Sequence, residues 1–226
     1  MKGVKLNERE SKVRKLILKM FVSVDGFVCG PNGEIDWIFK SMNENAADWI
    51  VDTLWQSGVH IMGSKTYQDM AVYWPTSTQS FAAPMNEIPK VVFTKKGFVE
   101  RPDVNLTTAA LKDASRIKQG GEINYSKINN TDWASPQIAR GNLAEEINKL
   151  KQQSGKNVLA HGGASFAQSL VEGNLIDEYR LVIHPVSLGN GRSLFSRLTK
   201  PLNLKLDSST EFDSGVVAHV YHPLDA

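Results

Sequence analysis

A glycine pair between a short apolar run and an amphipathic pattern is the feature of this sequence with the clearest chemical meaning. Residues 158–160 are apolar and too few for a helix, whereas apolar side chains after the pair recur at helical spacing. Glycine lets a backbone approach a ligand closely, and the first amides of a helix attract an anion such as a pyrophosphate. The alternative is an ordinary turn from a strand into a helix. The residues of the predicted anion site are Gly162, Gly163, Ala164, Ser165 and Phe166.

Two further strand ends carry residues of the same kind. The apolar run 59–62 is followed by a glycine that permits close approach and by amides that would open a helix, which predicts a second anion site. This second site consists of Gly63, Ser64, Lys65 and Thr66. A third run, residues 90–94, ends in Thr94 and is followed by Lys95 and Lys96. The lysines either gather at one edge of a parallel sheet, where ligands bind, or form a solvated surface.

Strands that alternate with helices must position these residues. Apolar runs predict strands at residues 14–24, 59–62, 90–94, 157–161, 177–184 and 215–222. Apolar residues at helical spacing predict helices at 45–55 and 142–153. Asn142 is the expected N-cap of the second helix, with Glu145 as its capping partner. The alternation favours an α/β fold with a mostly parallel central sheet, and the last two strands favour an antiparallel C-terminal edge hairpin.

Length and composition indicate one soluble globular domain. The 226 residues are 41% hydrophobic and 22% charged, with a net charge of +2. We expect no nucleic-acid partner, since no basic cluster is visible, and no membrane partner, since no run of 18 apolar residues occurs. A single cysteine excludes an intrachain disulfide, and we expect no metal site. Residues 1–13 are predicted to form a flexible tail and residues 14–226 one domain, with an insertion at about 97–139; a cytoplasmic location is the default expectation.

Four segments in order resemble one family. They are FVSVDGFVCGPNGEIDW (21–37), VHIMGSKTYQ (59–68), KVVFTKK (90–96) and VLAHGGASF (158–166). Together they resemble the dihydrofolate reductase-like superfamily. The phrases SVDG, HGGASFAQSL and LIDEYRLVIHPVSLGNGRSLF are most similar to the branch that contains the C-terminal reductase domain of the bacterial riboflavin-biosynthesis deaminase-reductase. The likeness covers roughly residues 14–96 and 142–222.

The resemblance implies a three-layer fold that binds NADPH. The two helix starts would face each other and hold one pyrophosphate. Lys65, Lys95 and Lys96 would supply the charge that distinguishes a 2′-phosphate from a 2′-hydroxyl. In the resembling fold the peptide bond of the glycine pair is cis, so the resemblance also implies a cis bond between Gly162 and Gly163.

The same resemblance places Asp25 and Asp36 nearest the nicotinamide, as catalytic acids, and Trp37 in the substrate pocket. Each has an alternative: Asp25 as a turn-forming residue, Asp36 as the N-cap of a short turn, and Trp37 as a core residue. Folate reductases carry an acid five positions after the corresponding tryptophan, where this chain has Met42. That departure argues against reduction of folate.

The expected function is therefore an NADPH-dependent reductase of a small heterocyclic molecule. The expected substrate is a pterin-like compound or a pyrimidine of the riboflavin pathway, the latter as in 5-amino-6-(5-phosphoribosylamino)uracil reductases. The alternative is a dinucleotide-binding module without efficient turnover. The resemblance and the apolar strands 177–184 and 215–221 further predict a homodimer built on the C-terminal strands. Alternatively, the insertion at 97–139 covers these strands.

Overall fold

An eight-stranded sheet organises the part of the chain that the computed structural model describes, residues 13–96 and 133–224. Nearly all of the predicted tail and most of the predicted insertion, residues 97–132, lie outside the described residues. None of the described helices is long and apolar enough to cross a membrane.

Ten strands and six α-helices alternate along the described chain. The strands are β1 (Leu16–Ser23), β2 (Phe27–Cys29), β3 (Ser57–Gly63), β4 (Lys90–Phe93), β5 (Gln137–Ala139), β6 (Asn157–Ala160), β7 (Glu178–His184), β8 (Arg192–Ser193), β9 (Leu204–Glu211) and β10 (Val217–Pro223). The helices are α1 (Asp36–Ser41), α2 (Glu44–Trp55), α3 (Ser64–Tyr73), α4 (Ala82–Glu87), α5 (Leu143–Gln152) and α6 (Ala164–Glu172). The sheet order is β5-β4-β3-β6-β1-β7-β10-β9, and β2 pairs with β8 separately.

The central sheet is mostly parallel, as the alternation predicted. All strands from β5 to β7 in the sheet order run parallel, whereas β10 is antiparallel to β7 and β9 is antiparallel to β10. The carboxyl ends of β1, β3, β4 and β6 therefore meet at one edge of the sheet. This edge carries all three groups of residues that the sequence singled out.

Each face of the sheet has its own apolar core, so the molecule has three layers. Along β1, Leu16, Leu18 and Met20 belong to the core beneath α5 and α6, whereas Ile17 belongs to the core on the opposite face. Buried side chains of α2, α3 and α4 contribute to this second core. Because β1 is covered on both faces, a charged side chain within it is buried in the protein interior.

The predicted helix start at Asn142 is confirmed. Its side chain accepts hydrogen bonds from the amides of Ala144 (2.9 Å) and Glu145 (3.4 Å). The helix predicted at 45–55 begins one residue earlier, because the Asn43 side chain accepts from the Ala46 amide at 3.0 Å. Both helices thus begin at an asparagine that satisfies an otherwise unpaired amide.

The predicted C-terminal hairpin is correct in its pairing but not in its position. Strand β7 lies inside the sheet between β1 and β10, and the outermost strand is β9, which the sequence did not predict. Strand β9 has the sequence LKLDSSTE and is largely exposed, so it lacks the apolar alternation by which strands are recognised. Asp207 is an extra residue in its pairing with β10, which makes a β-bulge.

The last residues of the predicted insertion are part of the domain. Strand β5 extends the sheet beside β4, and Trp133 is fully buried. Two contacts fix this tryptophan: the Tyr67 hydroxyl donates to its carbonyl, and its indole N–H donates to Asn86 Oδ1 at 2.9 Å.

Candidate functional site

The glycine pair turns β6 directly into α6 with trans peptide bonds, so the expected cis bond between Gly162 and Gly163 is wrong. Gly163, the N-cap of α6, adopts φ +87°, a conformation that favours glycine. The amide of Phe166 donates to the Gly163 carbonyl at 2.9 Å. The amides of Ala164 and Ser165 precede that bond and form the helix start that can face an anion.

The absence of a side chain on Gly163 lets α3 and α6 begin side by side, and Gly63 and Gly162 are also closely packed. A Cβ on Gly163 would collide with Thr66 Oγ1 in α3. A Cβ on Gly63 would lie 3.4 Å from the Cβ of Phe166, and one on Gly162 would lie 3.1 Å from Met20 Sδ. The structure therefore brings the two predicted helix starts together at the carboxyl edge of the neighbouring strands β3 and β6.

The third predicted group lies on the same edge, one strand further along. The Phe93 and Phe166 rings lie 5.2 Å apart, which connects the end of β4 to the start of α6. Beyond Phe93, the Lys96 amide donates to Thr94 Oγ1 at 3.1 Å. The side chains of Lys65, Lys95 and Lys96 are exposed.

Asp25 joins two loops at the end of β1. Its carboxylate accepts hydrogen bonds from the Ser23 hydroxyl (2.6 Å), the Ser187 hydroxyl (2.7 Å) and the amides of Gly189 (2.7 Å) and Leu188 (3.1 Å). These donors, the Ser23 and Ser187 hydroxyls foremost, hold the pKa of Asp25 far below its usual range. An aspartate that stays ionised accepts bonds but has no proton to donate, so the contacts favour the loop-forming alternative.

Asp36 and Trp37 are the first two residues of α1, and the Asp36 side chain lies on the surface whereas Trp37 is buried. Asp36 is the first helical residue, and its carboxylate pairs with Lys40 Nζ at 3.2 Å on the surface. Ile35 occupies the N-cap position of α1, so the alternative role of Asp36 as an N-cap is wrong. Trp37 is 5% exposed, and Met42, at the position of the folate-reductase acid, packs against an apolar core.

The structure adds a cluster that the sequence did not reveal, formed by Lys19, Phe21, Trp37, Ser41 and His184. Lys19 Nζ lies 3.8 Å from the centroid of the Phe21 ring. The His184 ring meets the rings of Phe21 and Trp37 edge to face, at 5.4 and 5.3 Å between centroids. The Ser41 hydroxyl lies 2.8 Å from His184 Nδ1. We call this set the polar pocket cluster.

Burial controls the charges in the polar pocket cluster. It lowers the pKa of Lys19 to about 7, which is unusual for an amine. Burial, followed by the charge of Lys19, lowers the pKa of His184 to about 4, so this imidazole is neutral at pH 7. The available signal in the sequence was a lysine within the apolar strand β1 and a histidine at the end of β7.

A pair of buried histidines, His60 and His161, lies beside the glycine turn, which His161 directly precedes. The His60 and His161 rings meet edge to face at 4.4 Å. Burial first, and then the charge of Lys90, lowers the pKa of His60 to about 3. Burial and the neighbouring His60 lower the pKa of His161 well below its ordinary value. Both rings are therefore neutral at physiological pH. No cluster of potential metal ligands occurs among the described residues.

Comparisons with known proteins agree with this architecture. The family model described as "RibD C-terminal domain" matches residues 14–218. The uncharacterized protein YyaP of Bacillus subtilis (strain 168) is 32% identical over 213 residues, which cover 93% of this chain and 96% of that protein.

Two solved structures show the same fold. One is a putative riboflavin biosynthesis protein from Shewanella sp. PV-4, with a TM-score of 0.66, 21% identity, and coverage of 93% of this chain and 99% of that one. The other is dihydrofolate reductase from Enterococcus faecalis complexed with NADP(H) and RAB-propyl, with a TM-score of 0.54, 11% identity, and coverage of 93% and 97%. These likenesses confirm the expected dihydrofolate reductase-like fold.

Proposed function

The chain belongs to the RibD C-terminal domain family, and from this premise we propose that it is an NADPH-dependent reductase of a small heterocyclic substrate. A pyrimidine of the riboflavin pathway or a pterin-like compound is the substrate class that the family membership supports. The observation that carries the proposal is the contact between two helix starts at Gly163 and Thr66.

The helix starts fit a pyrophosphate better than they fit a purely structural role. A glycine at Gly163 is required both by its positive φ and by the proximity of Thr66. The helix amides on both sides of this contact concentrate positive potential at one point of the sheet edge. Lys65, Lys95 and Lys96 surround that edge on exposed loops and helix ends, where a 2′-phosphate could reach them.

Lys19 has the pKa best suited to moving a proton. When bound, NADPH supplies a hydride to the electrophilic carbon of a polarised double bond and becomes NADP⁺. The heteroatom of that bond then needs a proton, and a group with a pKa near 7 is well matched to this task. Lys19 has such a pKa, lies in the polar pocket cluster, and would pass its proton to the heteroatom and be recharged from solvent. Asp25 and Asp36 would instead shape the loops around the pocket.

The alternative, a dinucleotide-binding module without efficient turnover, is favoured by one observation. The position of the folate-reductase acid is occupied by Met42, packed in an apolar core. The alternative predicts tight NADPH binding and no substrate-dependent oxidation of the cofactor.

Two measurements test the proposal. Calorimetry should show NADPH binding more tightly than NADH by at least about tenfold, since a charge-assisted contact to phosphate is worth roughly 1.5–3 kcal/mol. Lys95→Ala and Lys96→Ala should each reduce this preference, whereas Lys205→Ala on the distant strand β9 is the control. NADPH oxidation should then be followed with a panel of pyrimidines and pterins. Equal affinity for both cofactors would contradict the cofactor assignment, and tight binding with no oxidation across the panel would favour the module.

A further inference from the structure

The amino edge of the sheet, at the opposite end of the strands from the glycine turn, holds a cavity of about 360 Å³. It is lined by the starts of β3, β4 and β5 and by the end of α5. Gly58 lies at the cavity end of β3 and Gly63 at the other end, so roughly 15 Å of strand separates the cavity from the two helix starts. The cavity is large enough for a small molecule and lies outside the site proposed for NADPH.

Arg14 brings a buried positive charge to this cavity. The residue is only 6% exposed, and its Nε donates to the Lys156 carbonyl, whereas Nη1 lies 3.5 Å from Gln153 Oε1. The third nitrogen, Nη2, has no hydrogen-bond partner among the described residues, and no carboxylate of the described chain pairs with the guanidinium. Burial lowers the pKa of Arg14, yet a guanidinium stays ionised in proteins. An anion in the cavity would therefore compensate a charge that is costly to bury alone.

The charged neighbours of Arg14 are engaged with other groups. Lys90 Nζ donates to the Asn86 carbonyl at 3.2 Å and lies 4.7 Å from the centroid of the Trp133 ring. Asp177 pairs with Lys151 Nζ at 2.7 Å. None of the residues that line the cavity is acidic. The charge of Arg14 is thus left for a ligand.

The C-terminus of α5 borders the cavity without excluding an anion. Carbonyl groups at the end of a helix carry partial negative charge, which a cation such as Arg14 offsets. The Lys151 carbonyl already accepts from the Arg14 amide at 2.9 Å, and the Leu150 carbonyl accepts from the Gln153 amide at 3.3 Å. These two carbonyls are therefore satisfied within the protein.

The walls of the cavity favour an anion with a carbon body. Three buried aliphatic side chains, Val59, Val91 and Leu150, line it. The exposed residues Ser135 and Gln137 line its open side and can form hydrogen bonds. A carboxylate matches the planar fork of a guanidinium, and an attached alkyl chain gains from contact with the aliphatic wall. Inorganic phosphate matches the fork alone.

We propose that this cavity is a second binding site, for a small organic carboxylate whose anionic group pairs with Arg14 and whose alkyl body lies against Val59, Val91 and Leu150. The inference goes beyond the proposed function and does not depend on it, because the two sites share no residue.

Pentanoate and pentanamide form a matched pair of probes, since they share a chain length and a shape and differ in charge. Their affinities are measured by calorimetry or ligand-observed NMR on the full chain at constant ionic strength, with and without saturating NADP⁺. We expect a dissociation constant of about 1 mM for pentanoate, in keeping with the affinity that very small ligands reach. Pentanamide should bind at least about tenfold more weakly. Inorganic phosphate should also bind more weakly than pentanoate, and NADP⁺ should not displace pentanoate.

Three variants and one control locate the site. Arg14→Gln keeps a donor for the Lys156 carbonyl but removes the charge, and should reduce pentanoate affinity about 10- to 100-fold with little effect on pentanamide. Arg14→Lys keeps the charge without the fork and should retain part of the affinity. Gln137→Trp, at an exposed position on the outer strand β5, should narrow the cavity and weaken both probes. Arg197→Gln removes an exposed arginine that pairs with Glu172 on α6, and should change neither affinity.

Four results would overturn the inference. They are no detectable pentanoate binding at tens of millimolar, equal affinity for pentanoate and pentanamide, unchanged pentanoate affinity in folded Arg14→Gln, and displacement of pentanoate by NADP⁺. The first would leave Arg14 as a structural contact between α5 and the start of β6, and the last would assign pentanoate to the cofactor site. If Arg14→Gln does not fold, unchanged affinity in both Arg14→Lys and Gln137→Trp is the overturning result. Failure of NADP⁺ to bind would contradict the proposed function and leave this inference standing.

Discussion

Replacing Lys19 with methionine should make the protein more stable and at the same time nearly inactive. Lys19 is 8% exposed, and its ammonium has the Phe21 ring, but no carboxylate, within bonding distance among the described residues. Methionine has a similar length and carries no charge, so Lys19→Met removes the buried charge while largely preserving the packing.

The size of the effect follows from the pKa. Its decrease from 10.5 to about 7 corresponds to a penalty of roughly 5 kcal/mol for keeping the amine charged in the folded protein. Loss of the contact with the Phe21 ring offsets about 0.5–2 kcal/mol of the gain. Imperfect packing of methionine offsets about 1 kcal/mol more. The net expectation at pH 7 is a free energy of unfolding about 2–4 kcal/mol higher than that of the wild type.

The pH dependence identifies the charge as the cause. The folded-state pKa lies below the unfolded one, so the penalty is complete below pH 7 and disappears as the pH rises towards 10.5. The stability difference between Lys19→Met and wild type should therefore shrink by about 1.4 kcal/mol per pH unit above pH 7. Urea unfolding at several pH values between 6 and about 10 measures this directly.

A neighbouring lysine provides the control. Lys15 precedes the same strand, is 45% exposed, and pairs with Glu178 at 3.5 Å. Lys15→Met should change the stability by less than about 1 kcal/mol, because Lys15 is half-exposed and Glu178 keeps its ion pair with Arg180. Turnover of Lys19→Met should decrease at least about 100-fold with unchanged NADPH affinity. A Lys19→Met protein no more stable than wild type, or a stability difference independent of pH, would refute the reasoning.

Four further predictions concern the glycine turn, the folate-reductase position, the buried histidines and the assembly. Gly163→Val should abolish NADPH binding, because a β-branched residue at φ +87° would also collide with Thr66; calorimetry on protein shown to be folded by circular dichroism checks this. Dihydrofolate should be reduced poorly or not at all, since Met42 carries no proton; steady-state NADPH oxidation measures it. Below about pH 6.5 the buried His60–His161 pair should lower the free energy of unfolding by roughly 1.4 kcal/mol per pH unit for each ring, because these histidines have a higher pKa in the unfolded chain and take up protons there first. Urea unfolding at pH 7 and 5.5 measures this, and an unchanged midpoint would contradict it. Light scattering at micromolar concentration should give a dimer mass, and a mass near the 25.0 kDa of one chain would exclude the homodimer.

The sequence predicted best where a residue type has a single physical explanation. Asparagine before an amphipathic run identifies a helix start, and Asn142 acts in this way as predicted. Asn43 acts in the same way at the first helix, for which the sequence predicted only the range 45–55, one residue short at its start. A glycine between a strand and a helix indicates that another group approaches the backbone closely. At Gly163 that group is the Thr66 side chain, with which a Cβ would collide. The error at this turn was the expected cis bond, since the peptide bonds are trans and Gly163 has a positive φ.

The sequence predicted least where function depends on contacts between distant segments. Lys19 interrupts the apolar strand β1 and His184 ends β7, and a polar residue at either position does not reveal which side chains it will contact. Their meeting through Phe21 depends on the parallel pairing of β1 with β7, which the sequence only suggested as a general arrangement. Strand β9 was missed because a largely exposed outer strand needs no apolar alternation.

The bulge at Asp207 has a consequence for how the protein behaves at high concentration. The two outermost described strands are β5, which is three residues long, and β9, whose exposed side chains include Lys205, Asp207 and Glu211. Short, charged or bulged outer strands are poor templates for recruiting the backbone of another molecule. Open-ended polymerisation through strand addition is therefore disfavoured, and a two-fold partner would have to pack against a face of the β9–β10 hairpin.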